Sequence, residues 1–238
     1  MDYFIKTYKA RCKEAFGALG FKAFRNNHYR VVNDVYQCFR LKRSISGFLC
    51  DIEWCIAPLC VGLDGKDSVP NFHYLSRFED NILFWHYDRK SEESIDLCVN
   101  GLIEYLKKHL MPFFDQSTNC SNAYKQAMIW EERMRKRYQR NDDSYPLNTN
   151  YYCMALKIGD YDEALKYLAQ YRKNITGDSE GTESYDDDPE AKEYFEKRLA
   201  EWDDKIAHIK ARDMDWINNF IQTNERKSLV NLGLKKDL

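Results

Sequence analysis

The sequence has little glycine or proline, no long apolar run and almost no net charge. Its 238 residues include only 10 Gly and 5 Pro, whereas aromatic residues make up 15% of the chain. This composition is typical of an ordered globular protein rather than a disordered or loop-dominated chain. No apolar run approaches the ~20 residues needed to span a bilayer, and the opening MDYFIKTYKARCKEAF does not have the pattern of a secretory signal. We therefore expect a cytoplasmic protein that does not contact a membrane.

The charge balance and the cysteine pattern exclude further classes. A formal net charge of -2, from 36 basic and 38 acidic residues, provides no general field that would attract nucleic acid. The eight cysteines are scattered, and the sequence contains no CxxC pair and no HExxH motif. Cys50 and Cys55 are an odd number of residues apart, so they face opposite sides of a regular strand. The sequence therefore predicts free, buried thiols, and it predicts no metal and no cofactor.

Two hydrophobic periods divide the chain. Apolar residues at helical spacing predict a helix over residues 3–19 and another over 91–111. Between them the period changes to two, most clearly from Phe48 to Ile56, and the short connections predict antiparallel strands. We expect an α+β protein, with an antiparallel sheet packed on these helices in residues 1–117 and a helical bundle in residues 118–238.

The sequence pattern predicts that residues 118–238 are mainly helical. Apolar spacing predicts helices over residues 121–140, 146–158 and 160–173. Residues 174–189 are polar and acidic with almost no apolar anchor, which predicts a mobile loop. From Pro189 to about Ile221 the apolar spacing predicts one last helix, about 45 Å long at ~1.5 Å per residue.

A series of motifs in the first half is similar to a known family. In order they are LGF at the end of the opening helix, FRNNHYR, VYQCFRLKRSISGFLCDIEW, YLSRFED, ILFWHYD and LMPFFDQ. Residues 3 to about 117 thereby resemble the bacterial domain-of-unknown-function family numbered 4304. The resemblance implies an α+β domain with an antiparallel sheet, and it implies no activity and no catalytic residues.

The stretch GDYDEALKYL resembles part of a single tetratricopeptide repeat. Gly159, Tyr161, Ala164 and Leu168 match that repeat's turn and second helix. No second copy occurs at a period near ~34 residues, and stacked repeats need about three units to bury their faces. One helix pair with repeat-like packing is therefore favoured over a repeat scaffold.

Two carboxylates are the best candidates for an enzyme site. Asp51 and Glu53 share one face of a predicted strand, about 7 Å apart, which is a separation that hydrolases use. Arg40 and Lys42 on the preceding strand are placed to neutralise them by cross-strand pairing. The five histidines are dispersed along the chain. We favour ion pairing, with a hydrolase-type site on the sheet face as the alternative.

A basic helix end supports a second alternative, nucleic-acid binding. Residues 133–140 contain four arginines and a lysine with a tyrosine among them, which suits contact with phosphates. Glu131 and Glu132 come directly before this segment and favour a solvated, ion-paired helix face. Nucleic acid is therefore not the predicted partner.

The sequence favours a noncatalytic protein-binding module whose partner is another protein. The helical half offers a long apolar seam and many aromatic residues suited to a partner surface. Arg133, Arg137, Trp202 and Trp216 are the candidate interface residues, because Trp and Arg dominate contact energies. Burial in the core is the competing interpretation for both tryptophans. The more specific hypothesis, by analogy, is a bacterial immunity or regulatory protein.

Overall fold

The predicted α+β class is confirmed: an antiparallel sheet is followed by helices. The computed structural model describes residues 2–44, 48–66, 73–74, 85–137, 150–180 and 189–234. The helices in these residues are α1 (Tyr3–Phe16), α2 (Glu92–Tyr105), α3 (Met111–Asp115), α4 (Cys120–Arg137), α5 (Tyr151–Ile158), α6 (Tyr161–Glu180), α7 (Pro189–Lys210) and α8 (Met214–Asn231). The strands are β1 (Lys22–Phe24), β2 (Asn27–Val32), β3 (Val35–Arg43), β4 (Leu49–Pro58), β5 (His73–Tyr74) and β6 (Trp85–His86). None of the helices in these ranges is both long and apolar enough to cross a bilayer.

The sheet is an antiparallel meander. Strands β1 to β4 pair in chain order, and both β5 and β6 pair with β4. A two-residue turn connects β2 and β3, and Asn33 adopts φ 51° there, a left-handed conformation that Asn tolerates better than most residues. The long β3–β4 pairing places Arg40 opposite Glu53 and Lys42 opposite Asp51.

Helices α1 and α2 cover one face of the sheet. The side chain of Asp2 caps α1 by accepting a hydrogen bond from the backbone N–H of Phe4 at 2.9 Å. The helical path continues through a 3-10 turn and ends at Gly20, which has φ 85°. The buried residues that fill this layer include Phe4, Tyr8, Phe16, Phe39, Ile52, Trp54, Val99, Leu102 and Phe114.

The second predicted helix extends further than expected. After α2 a π-helical turn over Leu106–Leu110 leads directly into α3, so the helical path passes Pro112 and ends at Asp115. Pro112 lies in the first turn of α3, where its missing N–H is not needed for an intrahelical bond. The expected end before Pro112 is therefore wrong.

The predicted division at residues 117 and 118 falls between α3 and α4, and it stays a prediction. Helices α4 to α8 surround a second cluster of buried residues, which also takes in Val35 and Cys60 from the first half. Within it, α5 and α6 form one helical hairpin whose turn contains Gly159 at φ 82°. The hairpin lies at the repeat-like motif, and the resemblance to a tetratricopeptide repeat stays a prediction.

The predicted mobile loop over 174–189 is wrong in its first part. Helix α6 continues to Glu180, because a helix that is already nucleated propagates through its backbone bonds without apolar anchors. The rest of that prediction, residues 181–188, lies outside the described residues. Helix α7 begins at Pro189, as expected.

The single long last helix is also a wrong prediction. The helix is interrupted at residues 211–213, where Arg212 adopts φ 54°. Asp213 then caps α8 by accepting a hydrogen bond from the backbone N–H of Trp216 at 3.1 Å. The apolar spacing continues across the break because both helices bury a face in the same cluster. Periodicity alone could not show the turn.

Candidate functional site

The two carboxylates proposed for a hydrolase site are buried on the sheet face away from α1 and α2. Glu53 accepts a hydrogen bond from Arg40 Nε at 2.6 Å and lies 3.5 Å from Lys42 Nζ. Asp51 Oδ1 accepts a hydrogen bond from the backbone N–H of Ile52 at 2.7 Å. The predicted cross-strand neutralisation is therefore confirmed for Glu53, and this geometry gives its carboxylate a structural role.

The buried imidazole of His28 does not join these carboxylates. It lies on the opposite, helix-covered face, with its ring 5.5 Å from the Tyr8 ring and 5.2 Å from the Phe39 ring. Burial, with a smaller contribution from the charge of Lys9, lowers the pKa of His28 from 6.5 to about 4. In the described part of the chain, no three His, Cys, Asp or Glu side chains are grouped to hold a metal ion.

The predicted interface tryptophans have different environments. Trp202 is buried in the helical cluster, where it stacks on Tyr171 at 5.5 Å with an angle of 12° between the rings. Trp216 is half-buried between the rings of His208 at 4.7 Å and Phe220 at 5.2 Å. Trp202 thus contributes to the core, whereas part of Trp216 remains accessible.

The basic helix end lies on α4. Arg133 is exposed, and the side chain of Arg137 lies outside the described residues. Arg135 Nη1 and Lys136 Nζ lie 3.4 Å and 3.3 Å from the two carboxylate oxygens of Glu132. The ion-paired helix face predicted from the sequence is present at these two positions.

A groove between α6 and α7 is a surface feature that the sequence did not indicate. Its volume is about 690 Å³. Its apolar floor consists of Leu165 and Ala169 from α6 and Ile206 from α7. The remaining lining residues are charged: Asp162, Lys166, Arg172, Lys173, Asp203 and Lys210. The sequence shows these charges, but only the packing of α6 on α7 places them around one floor. The paired helical periods could have suggested a groove without specifying its rim.

The rim of the groove is basic overall. Four of the six charged lining residues are Lys or Arg and two are Asp. Arg172 crosses from α6 to α7 and donates two hydrogen bonds to Asp203, at 2.7 Å and 3.3 Å. This bond from Arg172 lowers the pKa of Asp203. One acidic group is thus neutralised within the wall, and the groove retains an excess of positive charge.

A smaller depression, of about 330 Å³, lies between the α5–α6 turn and α8. Ile158 and Gly159 form one side, and Ile217 and Ile221 form the other. Lys157 is the charged residue in its lining. It offers less charge for recognition than the α6–α7 groove.

Comparison with known proteins adds no relative: no protein-family model matches the chain, and neither a curated protein nor a solved structure matches it. The resemblance to family 4304 therefore stays a prediction.

Proposed function

We propose that the protein is a noncatalytic protein-binding module and that the α6–α7 groove takes an acidic, amphipathic helical segment of its partner. The observation that supports this most directly is the combination of an apolar floor with a predominantly basic rim in one groove. An amphipathic helix places apolar residues at i, i+3, i+4 and i+7 into such a floor and its charges on the rim.

The dimensions of the groove suit a short helix. Its α6 wall runs from Asp162 to Lys173, which at ~1.5 Å per residue is about 16 Å, or three helical turns. Three turns of a partner helix present two or three apolar anchors, enough to cover Leu165, Ala169 and Ile206.

The charges favour an acidic occupant over a basic one. Lys166 and Lys210 are exposed and lie on opposite walls of the groove, and Lys166 Nζ also lies 2.8 Å from Glu163 Oε2 on its own helix. Carboxylates of a bound segment would lie between these two lysines and be attracted by both, whereas a basic segment would be repelled. Such rim charges contribute mainly to association rate and specificity.

The cellular role proposed within this class is that of an immunity or regulatory protein that blocks a cognate protein. Its support is analogy with other small modules of balanced charge. Co-expression with the product of the adjacent gene tests it directly. We expect co-expression to reduce the toxicity or the activity of the neighbouring gene's product. If cell growth and that product's activity are the same with and without this protein, the proposed role is ruled out.

Binding is tested with a fluorescently labelled peptide of about 15 residues, with Leu at helical spacing and Glu at the other positions. We expect micromolar binding at low salt that weakens as salt is raised. The matched peptide with Gln in place of Glu should bind at least about tenfold more weakly, a difference of about 1.4 kcal/mol.

Variants of the protein then locate the site. Ala169→Glu places a negative charge on the floor and Lys210→Glu reverses one on the rim, so each should weaken binding about tenfold. The controls are Ala200→Glu and Lys197→Glu, which make the same exchanges on exposed parts of α7 that do not line the groove. Absence of saturable binding, or equal losses in the variants and their controls, would rule out the groove.

A further inference from the structure

The described cysteines include two pairs whose sulfur atoms are in contact. All eight cysteines are free and buried. Cys50 Sγ lies 3.6 Å from Cys98 Sγ, and Cys60 Sγ lies 3.8 Å from Cys120 Sγ. A disulfide needs about 2.05 Å between its sulfurs, so the two pairs are about 1.6 Å and about 1.8 Å from bonding distance.

The Cys50–Cys98 pair joins the sheet to a helix. Cys50 is on β4 and Cys98 is on the buried face of α2. The only described backbone neighbour of Cys50 on its outer side is Trp85, in the two-residue strand β6. The Cys50 thiol also lies 3.6 Å from the backbone oxygen of Trp85.

The two pairs differ in exposure, and within the first pair the contact with Cys98 raises the pKa of Cys50. Cys98 is 7% exposed, whereas Cys60 and Cys120 are 1% and 3% exposed. The hydrogen bond from the Cys50 thiol lowers the pKa of Cys98. In the other pair, the contact with Cys120 and burial raise the pKa of Cys60. Because the thiolate is the reactive form, Cys98 is the better nucleophile.

We propose that Cys98 is a site of oxidation by hydrogen peroxide and that Cys50 is its resolving partner, so that oxidation links β4 to α2 by a disulfide. A thiol that ionises readily beside a second thiol is the arrangement of redox-sensing cysteines in general. The site is separate from the α6–α7 groove and does not depend on the proposed partner.

The chemistry balances with one peroxide. The Cys98 thiolate attacks one peroxide oxygen, the O–O bond breaks, and the leaving hydroxide takes a proton to become water. The product is the sulfenic acid of Cys98. Cys50 then loses its proton and attacks the Cys98 sulfur, the S–O bond breaks, and a second water leaves. Two thiols are oxidised by two electrons, and one peroxide is reduced to two waters.

The test is peptide mapping by mass spectrometry after the folded, full-length protein is treated with hydrogen peroxide. We expect a Cys50–Cys98 disulfide, lighter by two hydrogen atoms, that forms at least about tenfold faster than any Cys60–Cys120 disulfide. The second pair serves as an internal control, because its sulfurs start at nearly the same separation. Equal rates for the two pairs, or a free Cys98 when other thiols have reacted, would overturn the proposal.

Single substitutions separate the two roles. In Cys50→Ser, oxidation should stop at the sulfenic acid of Cys98, which dimedone traps. In Cys60→Ser, the Cys50–Cys98 disulfide should form at the wild-type rate. Dimedone labelling that appears on other cysteines but not on Cys98 would count against the assignment. The wild-type map decides the question even if a variant does not fold.

Discussion

A neutral imidazole in the core predicts a specific loss of stability in mild acid. His28 is 4% exposed, and its Nδ1 atom has no hydrogen-bond partner among the described residues. Its ring packs between Tyr8 and Phe39, where a charged imidazolium would lose its hydration. Burial therefore favours the neutral form, and Lys9 disfavours a second positive charge nearby.

The size of this loss of stability follows from the difference in the pKa of His28 between the folded and the unfolded protein. The pKa of His28 is about 4 in the folded protein, and the ordinary value is 6.5. Because the unfolded chain binds the proton more tightly, the stability due to neutral His28 is fully present above pH 6.5 and is lost as the pH falls to 4. The full difference is about 3 kcal/mol at 1.36 kcal/mol per pH unit, and about 2 kcal/mol of it falls between pH 7 and pH 5.

Urea unfolding of wild type and His28→Phe at pH 7, 6, 5 and 4 tests this prediction. Phe fits an aromatic environment and cannot be protonated, so its stability should fall by about 2 kcal/mol less than that of wild type between pH 7 and pH 5. His86→Phe removes an imidazole from an exposed position and serves as the control. If wild type and His28→Phe lose stability in parallel over this range, the imidazole is not held neutral by the core.

Three further predictions concern other parts of the structure, and each is measured by urea unfolding. Arg40→Ala should cost about 2–3 kcal/mol, because it leaves the buried carboxylate of Glu53 without its shortest ion pair; a smaller cost in the double variant with Glu53→Leu would confirm the cause. Gly62→Ala should cost about 2 kcal/mol, since φ is 75° and the new Cβ would lie 3.1 Å from an Asn side chain of α8. Gly20→Ala, at φ 85° with open space around it, should cost only about 1 kcal/mol, and equal costs would exclude the close approach. Trp202→Ala should cost about 3–5 kcal/mol, and a loss below 1 kcal/mol would contradict its place in the core.

The sheet could be predicted because the signals for it lie within single strands and the short turns between them. Alternation along β4 identifies the inward face, and the two-residue turn between β2 and β3 sets the register of that hairpin. Once the register is set, the pairing of Arg40 with Glu53 follows from strand geometry. The capping of α1 by Asp2 was predictable for the same reason, since cap and helix are adjacent in sequence.

The groove and the cysteine contacts were not predictable, because they depend on how distant elements pack. Cys50 and Cys98 are 48 residues apart, and Cys60 and Cys120 are 60 apart. Nothing in the spacing of either pair indicates contact. The break at Asp213 is a different case, because Asp three residues before Trp216 is a recognisable cap signal that the continuing apolar period concealed.

Helix α8 shows why the two halves of the sequence form a common structure. Asn224, Ser228 and Asn231 follow one another at helical spacing of four and three, so they lie on one face of α8. Ser228 donates to the carbonyl of Leu59 at 2.7 Å and accepts from the backbone N–H of Leu63 at 2.7 Å. The two asparagines donate to other carbonyls of the same segment at 2.9 Å. The segment after β4 begins with a 3-10 turn over Leu59–Val61 instead of a strand, and α8 supplies partners for its backbone groups from about 165 residues away. Buried backbone groups need hydrogen-bond partners wherever those partners lie in the sequence, and for this reason α8 packs against the segment that follows β4.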